Sequence, residues 1–427
     1  MPTLLLITPE NQEIKRFRAK QLNNFTQLTM PYLAGFVPGE YQIRLVDEYS
    51  QPIPFEKFDL VAITVNTPNA PHVYRMAEKF RHLGAWVALG GPHATLVPEE
   101  ASKYADTVFV GETEETWTNF LGEFLHKGHK KIYHCSRPPS LKDLPSPRLD
   151  LIIGHRFTSG AVFSSRGCPH NCSYCCLKQI YHREFRTRPV NDVIENIKDI
   201  PNRHFVFWDD NFFADLNYTK KLLKALEPLK KKWAAQVTAH SCTEELLRLA
   251  KKAGCVYLFL GLESFSEASL QHANKRFNRV DHYHEIIKRL HRHGISVQAG
   301  VIFGFDSDTV DTFDSTLEFC ELIGIDGVTP SILTPFPGTS PYNQFKKEGR
   351  LLAVDWSYYN SKTRVSFQPK HLTPEELLIG YHNFRGRFYS LKSIMKRLFN
   401  SRLNVSYNLL MNYGYRQAYR KFISKSG

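Results

Sequence analysis

Short apolar runs that end in turn residues alternate with helix-forming stretches along most of this 427-residue chain. That alternation confines it to α/β architectures built on parallel sheets, whose strands are buried on both faces and therefore read as continuous apolar runs. A first set of runs covers Leu4–Thr8, Tyr41–Asp47, Leu60–Val65, Trp86–Leu89 and Thr107–Val110. Helices are predicted over Pro71–Leu83 and Pro98–Tyr104, the second opening on a proline suited to a first turn. A second set covers Ala161–Ser165, His204–Trp208, Ala234–Thr238, Val256–Leu260, Ser296–Ile302 and Gly327–Leu333. Helical stretches such as Val190–Ile200, Tyr218–Leu229 and Thr243–Ala253 lie between them.

The first set predicts a doubly wound domain over residues 1–135, and the second a six-unit partial (β/α)6 barrel over residues 151–345. Both architectures collect ligands at the carboxyl ends of their strands. Residues 136–150, proline-rich from Arg137 to Arg148, read as an extended surface linker. Residues 346–427 read as a helical, basic extension. One helix start is explicit there, with Thr373 as cap, Pro374 in the first turn and Glu376 closing a capping box.

Hydrophobic residues make up 42% and charged residues 23% of the chain, as in globular proteins. No run approaches the roughly 18 apolar residues of a membrane span. The opening MPTLLLITPE lacks a basic leader region and reads as a first strand. Eight cysteines, three of them on one loop, fit a reducing cytoplasm better than a disulfide framework. The net charge of +13 is uneven: from Arg385 onward there are ten Lys/Arg and no acid, interleaved with Phe388, Tyr389, Leu398, Phe399, Leu409, Leu410, Tyr413 and Tyr415. Such a tail is an amphipathic helical cap, a surface lying on anionic membrane, or a nucleic-acid binder. No RNA-binding motif supports the last.

The chemistry is concentrated in Arg166-Gly167-Cys168-Pro169-His170-Asn171-Cys172-Ser173-Tyr174-Cys175. The spacing C-x3-C-x2-C puts three thiolates on one short loop, enough for three irons of a [4Fe–4S] cube with the fourth left open, whereas electron-transfer clusters close with a fourth Cys. A zinc site or scattered core thiols are the alternatives. Zinc takes four ligands, usually in two separated pairs, and no second C-x2-C pair exists. Cys176, adjacent to Cys175, reads as a small buried residue.

With Gly167, Pro169 and Tyr174 beside the cysteines, the loop resembles the signature of radical S-adenosylmethionine (SAM) enzymes. The loops after the first-domain strands are Asn66-Thr67-Pro68-Asn69, Gly90-Gly91-Pro92-His93-Ala94-Thr95 and Gly111-Glu112-Thr113-Glu114. They resemble those of the cobalamin-binding domain that precedes many radical SAM domains, and paired glycines let a backbone approach a flat ligand. The D-x-H-x-x-G loop of the best-known cobalamin domains is missing, so a lower cobalt ligand from that motif is not expected, and His93 is a poor substitute. Over nearly its whole length the chain resembles the cobalamin-dependent (class B) methylases of the hopanoid group.

That resemblance implies specific roles. Cys168, Cys172 and Cys175 hold the cluster. SAM meets Tyr174, Asp209 and Asp210 after the second barrel strand, Glu263 and Ser264 after the fourth, and backbone near Phe303 after the fifth. A helix cap is the alternative reading for Asp209 and Asp210. Cobalamin meets Asn66, Thr67, Gly90, Gly91, Pro92, His93, Gly111 and Glu112. Thr334–Thr339 faces the barrel mouth. The implied activity is reductive SAM cleavage to a 5′-deoxyadenosyl radical and methylation of an unactivated carbon of a lipid or other small molecule. An electron donor such as flavodoxin or ferredoxin is expected. Ring rearrangement or cyclisation, aminocarboxypropyl transfer and a non-enzymatic cobalamin or redox sensor are the alternatives. The expected location is cytoplasmic, with peripheral membrane contact through the basic tail as an option.

Overall fold

The computed structural model describes residues 1–15, 27–152, 160–181, 184–401 and 403–426. Arg402 in the basic tail lies outside the described residues.

The first sheet has six parallel strands: β1 (Thr3–Thr8), β2 (Gln42–Asp47), β3 (Leu60–Thr64), β4 (Trp86–Gly90), β5 (Thr107–Val110) and β6 (Ile132–His134). Their order is β2-β1-β3-β4-β5-β6. The order reverses between β1 and β3, which opens a crevice at their carboxyl ends. Alternation along β1 sends Leu5 and Ile7 into one apolar layer and Leu4 and Leu6 into the other, so both faces are covered. Strand β6 has no apolar run of its own, preceded as it is by Lys130 and Lys131. Tyr133 fixes it by stacking on Phe109 at 5.3 Å. The helix expected to reach Tyr104 stops at Ala101, and the Ser102 hydroxyl donates to the Glu99 carbonyl (3.0 Å).

The second sheet starts with β7 (Gly160–Val162). The chain then leaves the sheet for an antiparallel ribbon of β8 (Ser165–Arg166) and β9 (Arg186–Thr187). It returns with β10 (His204–Phe207), β11 (Lys232–Val237), β12 (Cys255–Glu263), β13 (Ser296–Phe303) and β14 (Gly327–Ile332). All six sheet strands are parallel, in the order β14-β13-β12-β11-β10-β7. The expected strand Ala161–Ser165 is therefore divided. The cause is Asp209, whose buried carboxylate accepts from the Ser164 amide (3.0 Å) and from the hydroxyls of Ser164 (2.7 Å) and Ser165, diverting the backbone from the ladder. Helices between the strands cover the outer face. Glu244–Lys252, capped by Thr243, buries Leu246, Leu247 and Ala250 in the stripe that a 3.6-residue period demands.

Helix Pro374–Phe388 starts at the predicted capping box, with the Thr373 hydroxyl accepting from the Glu376 amide (3.1 Å) and the Glu376 carboxylate from the Thr373 amide (2.7 Å). The two helices after it, Leu391–Ser401 and Val405–Ser426, close over the β14 side of the sheet. Arg397 is buried, its guanidinium 3.8 Å from the Phe388 ring centroid and donating to the Asp326 carbonyl (2.9 Å). Asn408 and Asn412 are buried there too. The tail is thus a docked cap. Leu391, Met395 and Phe399 remain exposed as a stripe beside Lys392. Among the described residues no helix is long and apolar enough to cross a membrane.

Candidate functional site

The cysteine loop follows the ribbon strand β8 beyond the carboxyl end of β7. Gly167 makes its first turn at φ +82°, where an added Cβ would run into the Glu184 carbonyl oxygen. Its amide donates to Asp210 (3.0 Å). Further on, the Asn171 carbonyl accepts from the Asn274 side chain (2.7 Å), and the Ser173 amide donates to the Ala273 carbonyl (2.9 Å). Cys172 is buried, Cys168 and Cys175 are half-buried, and all three are free thiols. Burial pushes the Cys175 thiol up to about 12, with Cys176 and Cys172 adding to the rise. Burial likewise raises Cys168, which neighbours Cys172 and Asp210, and Cys172, which the Lys275 cation partly restrains.

Three sheltered thiols that feel one another suit a group that takes their protons' place. Among the described residues no three His, Cys, Asp or Glu side chains gather tightly enough for a single metal ion. In an iron–sulfur cube each thiolate sits on its own iron, so the ligands stand further apart than around one ion, and three free thiols on one loop match the cube's donor set. The Asn211 amide, 3.9 Å from the Cys168 sulfur, is placed to donate to it.

Two cavities flank the loop. The smaller, about 190 Å³, lies at the carboxyl ends of β12–β14 and is lined by Tyr174, Glu263, Ile302, Ser331 and Phe336. Glu263 ends β12 at φ +69° beside a register irregularity. Its carboxylate pairs with Lys275 at 2.7 Å, and the Lys275 ammonium stands 3.3 Å from the Tyr174 hydroxyl. Burial depresses Lys275, but the Glu263 carboxylate and the Cys172 sulfur overcome it and hold the amine charged.

The larger cavity, about 420 Å³, lies between the two sheets. From the first sheet it is lined by Asn66, Gly90, Gly91, Pro92, Gly111 and Glu112, and from the second by Arg166, Tyr181 and Asp210. Gly91 is required by its turn: at φ +97° an added Cβ would lie 2.7 Å from the Thr64 hydroxyl. Glu112 is buried between Arg166 (2.7 Å) and Arg186, and Arg166 also pairs with Glu114. Arg166 is the residue before Gly167, so one ion-pair network joins the first sheet to the cysteine loop.

Several residues expected to meet cofactors do not line these two cavities. Thr67 and His93 do not line the cavity. His93 is fully buried, 3.2 Å from the Thr67 hydroxyl and 3.1 Å from the Tyr74 hydroxyl, and burial pulls its pKa down. Asp209 holds Ser164 and Ser165 rather than facing a cavity. Its neighbour Asp210 does face the larger one, and burial raises its carboxyl to about 6. Ser264 is buried, its hydroxyl accepting from the Ser266 amide (3.1 Å). The Phe303 ring packs outward on Phe313 and Phe384, and its carbonyl is taken by the Leu333 amide (2.8 Å). Within Thr334–Thr339, Phe336 lines the smaller cavity and the Gly338 carbonyl accepts from the Gln179 side chain. Sequence reasoning assigned no role to Arg166, Asn211, Asn274 or Lys275, whose partners are distant in the chain.

Residues 162–320 match the Radical SAM superfamily. The chain is 29% identical over 425 residues to bacteriochlorophyllide d C-12(1)-methyltransferase of Chlorobaculum tepidum, covering 96% of this chain and 92% of that protein. It is 23% identical over 383 residues to hopanoid C-2 methylase of Rhodopseudomonas palustris, covering 86% and 71%. Among solved structures, the cobalamin-dependent S-adenosylmethionine radical enzyme OxsB with aqua-cobalamin and S-adenosylmethionine bound superposes with a TM-score of 0.72 at 16% identity, over 97% of this chain and 72% of that one.

Proposed function

From a chain that carries a radical SAM domain, we propose a cobalamin-dependent methylase acting on an unactivated carbon of a small molecule. The observation that carries this reading is the position of the three-thiol loop. Arg166 at its start lines the cavity shared with the first sheet, and Tyr174 near its end lines the cavity at the barrel mouth. A single loop thus borders a space for each cofactor. When bound, the cluster supplies the electron that cleaves S-adenosylmethionine, and the corrinoid supplies a transferable methyl group.

The chain's own residues position and shelter these groups. Cys168, Cys172 and Cys175 supply the cluster ligands. Asn211 orients Cys168, and Asp210 fixes the Gly167 turn. Tyr174 and Glu263 bound the SAM space, with Lys275 holding the carboxylate in place. Asn66, Gly90, Pro92 and Gly111 line the corrinoid space, while Glu112 acts through Arg166. The relatives' names favour an extended, largely apolar substrate, of chlorin or hopanoid type. The exposed stripe of Leu391, Met395 and Phe399 beside Lys392 supports contact with an anionic membrane, which co-sedimentation with phosphatidylglycerol vesicles tests directly.

The deciding experiment is anaerobic. The protein is reconstituted with iron, sulfide and cobalamin, given SAM and dithionite, and the SAM fragments are identified by mass spectrometry. 5′-Deoxyadenosine with S-adenosylhomocysteine is the expected pair. 5′-Deoxyadenosine alone redirects the reading to rearrangement or cyclisation. Methylthioadenosine in place of both overturns it in favour of aminocarboxypropyl transfer.

A further inference from the structure

The segment that follows helix Glu267–His272 cups the cysteine loop. The Ser173 hydroxyl donates to the His272 carbonyl (3.0 Å), the Ser173 amide to the Ala273 carbonyl (2.9 Å), and the Asn274 side chain to the Asn171 carbonyl (2.7 Å). Phe277 stacks on His170, their ring centroids 3.9 Å apart. Lys275 sits within this segment, its ammonium 5.7 Å from the Phe277 ring centroid, 2.7 Å from the Glu263 carboxylate and 3.3 Å from the Tyr174 hydroxyl. Both halves of the loop therefore hold it, Tyr174 directly and His170 through Phe277. Gly261 leaves room for the pair, since an added Cβ there would lie 2.6 Å from the Glu263 carboxylate and 2.9 Å from the ammonium.

A charge fixed at this place acts on the thiols. Only 6% of the Lys275 side chain is exposed, so water and salt screen its field far less than that of a surface lysine. The other charges at the loop are differently placed. Arg166 is matched by Glu112 and Glu114, and Glu112 by Arg186 as well. Asp210 brings a negative charge to the start of the loop, where it accepts from the Gly167 amide (3.0 Å). Among the described residues, Glu263 is the one acid paired with Lys275. The thiols register the cation: burial raises Cys172 most, and the Lys275 charge is the largest influence against that rise.

We propose that Lys275 is a positioning residue for electron uptake: its fixed positive charge raises the electron affinity of a cluster on Cys168, Cys172 and Cys175, and Glu263 anchors and partly cancels that charge. This rests on the reading that the three thiols hold an iron–sulfur cube. The electron comes from a one-electron donor of flavodoxin or ferredoxin type, which is oxidised by one electron as the cluster is reduced by one. An electron added at the loop brings one negative charge there. The potential at which it is accepted follows net charge, hydrogen bonds to sulfur and solvent exposure. A buried cation attracts that electron and a buried anion repels it, so the two members of the pair push the potential in opposite directions. Packing alone has no such sign.

The test is a dye-mediated redox titration of the reconstituted protein without SAM, read by the electron paramagnetic resonance of the reduced cluster. Lys275→Gln should lower the ratio of reduced to oxidised cluster at a set potential about tenfold, a downward shift of about 59 mV for a one-electron couple. Glu263→Gln shifts the potential upward, and Lys275→Arg stays near wild type. If Lys275→Gln loads no cluster, the uncharged pair decides: Glu263→Gln with Lys275→Met must lie below Glu263→Gln alone. Equal potentials in wild type and Lys275→Gln, or shifts of one sign in both single variants, overturn the proposal. Loss of the cluster from every uncharged variant overturns it by giving the pair a structural role. Unchanged potentials with weakened SAM binding in Lys275→Gln overturn it by giving Lys275 to SAM. Failure of the cluster reading shows separately, as a wild type that takes up no iron and sulfide, and the proposal falls with it.

Discussion

Lys275 and Glu263 form a 2.7 Å ion pair that binds the end of β12 to the cysteine loop, since the same ammonium reaches the Tyr174 hydroxyl. Both side chains are largely withdrawn from water, so neither partner can be lost without stranding the other. Glu263→Gln leaves a buried cation and is expected to destabilise the fold by roughly 3 kcal/mol. Glu263→Gln with Lys275→Met should recover much of that loss. Urea midpoints of the wild type, both single variants and the double variant check it, and a double variant as unstable as Glu263→Gln would refute it.

Gly167→Ala tests the loop without touching a thiol. The new methyl cannot coexist with the Glu184 carbonyl, and φ +82° is itself unfavourable for alanine. Iron and acid-labile sulfide per chain after reconstitution should fall well below wild type, while far-UV circular dichroism is unchanged.

Glu112 sits between two guanidinium groups at the junction of the sheets. Glu112→Gln removes the charge that Arg166 and Arg186 share there. A destabilisation of roughly 2–4 kcal/mol is expected. Proteolysis in the 136–150 connector should quicken as the two parts of the chain loosen, which timed digestion reads directly.

Lys362 carries a pH signature. Its pKa is about 8 in the folded protein against an ordinary 10.5, so the folded state binds fewer protons than the unfolded one between those values. Stability from this group therefore rises with pH from about 8 to about 10.5. Lys362→Met should be more stable than wild type at pH 7, by roughly 2 kcal/mol once the partial access of water is allowed for, with the advantage gone above pH 10.5. Thermal midpoints across that range check the slope.

The backbone architecture was readable because buried parallel strands announce themselves as apolar runs. Five strands of the first sheet and the six barrel strands fall within a few residues of expectation. The edge strand at Tyr133 was hidden because one aromatic stack, rather than an apolar run, holds it. The cysteine loop was legible because its thiols are close together in sequence. Asp209 illustrates the opposite case: an acid at a strand end reads equally as a ligand contact or a structural anchor, and only the positions of Ser164 and Ser165 decide. Arg166, Asn211 and Lys275 went unseen for the same reason, because each acts through a partner far along the chain.

The cysteine loop takes its shape from Asp210, Ala273 and Asn274, and from Ser340, whose amide donates to the Ser173 carbonyl (3.3 Å). All of these lie downstream of the thiols they position. A nascent chain emerging from the ribosome therefore presents Cys168, Cys172 and Cys175 before the groups that arrange them have been synthesised. Cluster insertion belongs after translation of the barrel, and until then the three thiols are open to oxidation, so the maturation of this protein depends on oxygen being kept away from an unfinished chain.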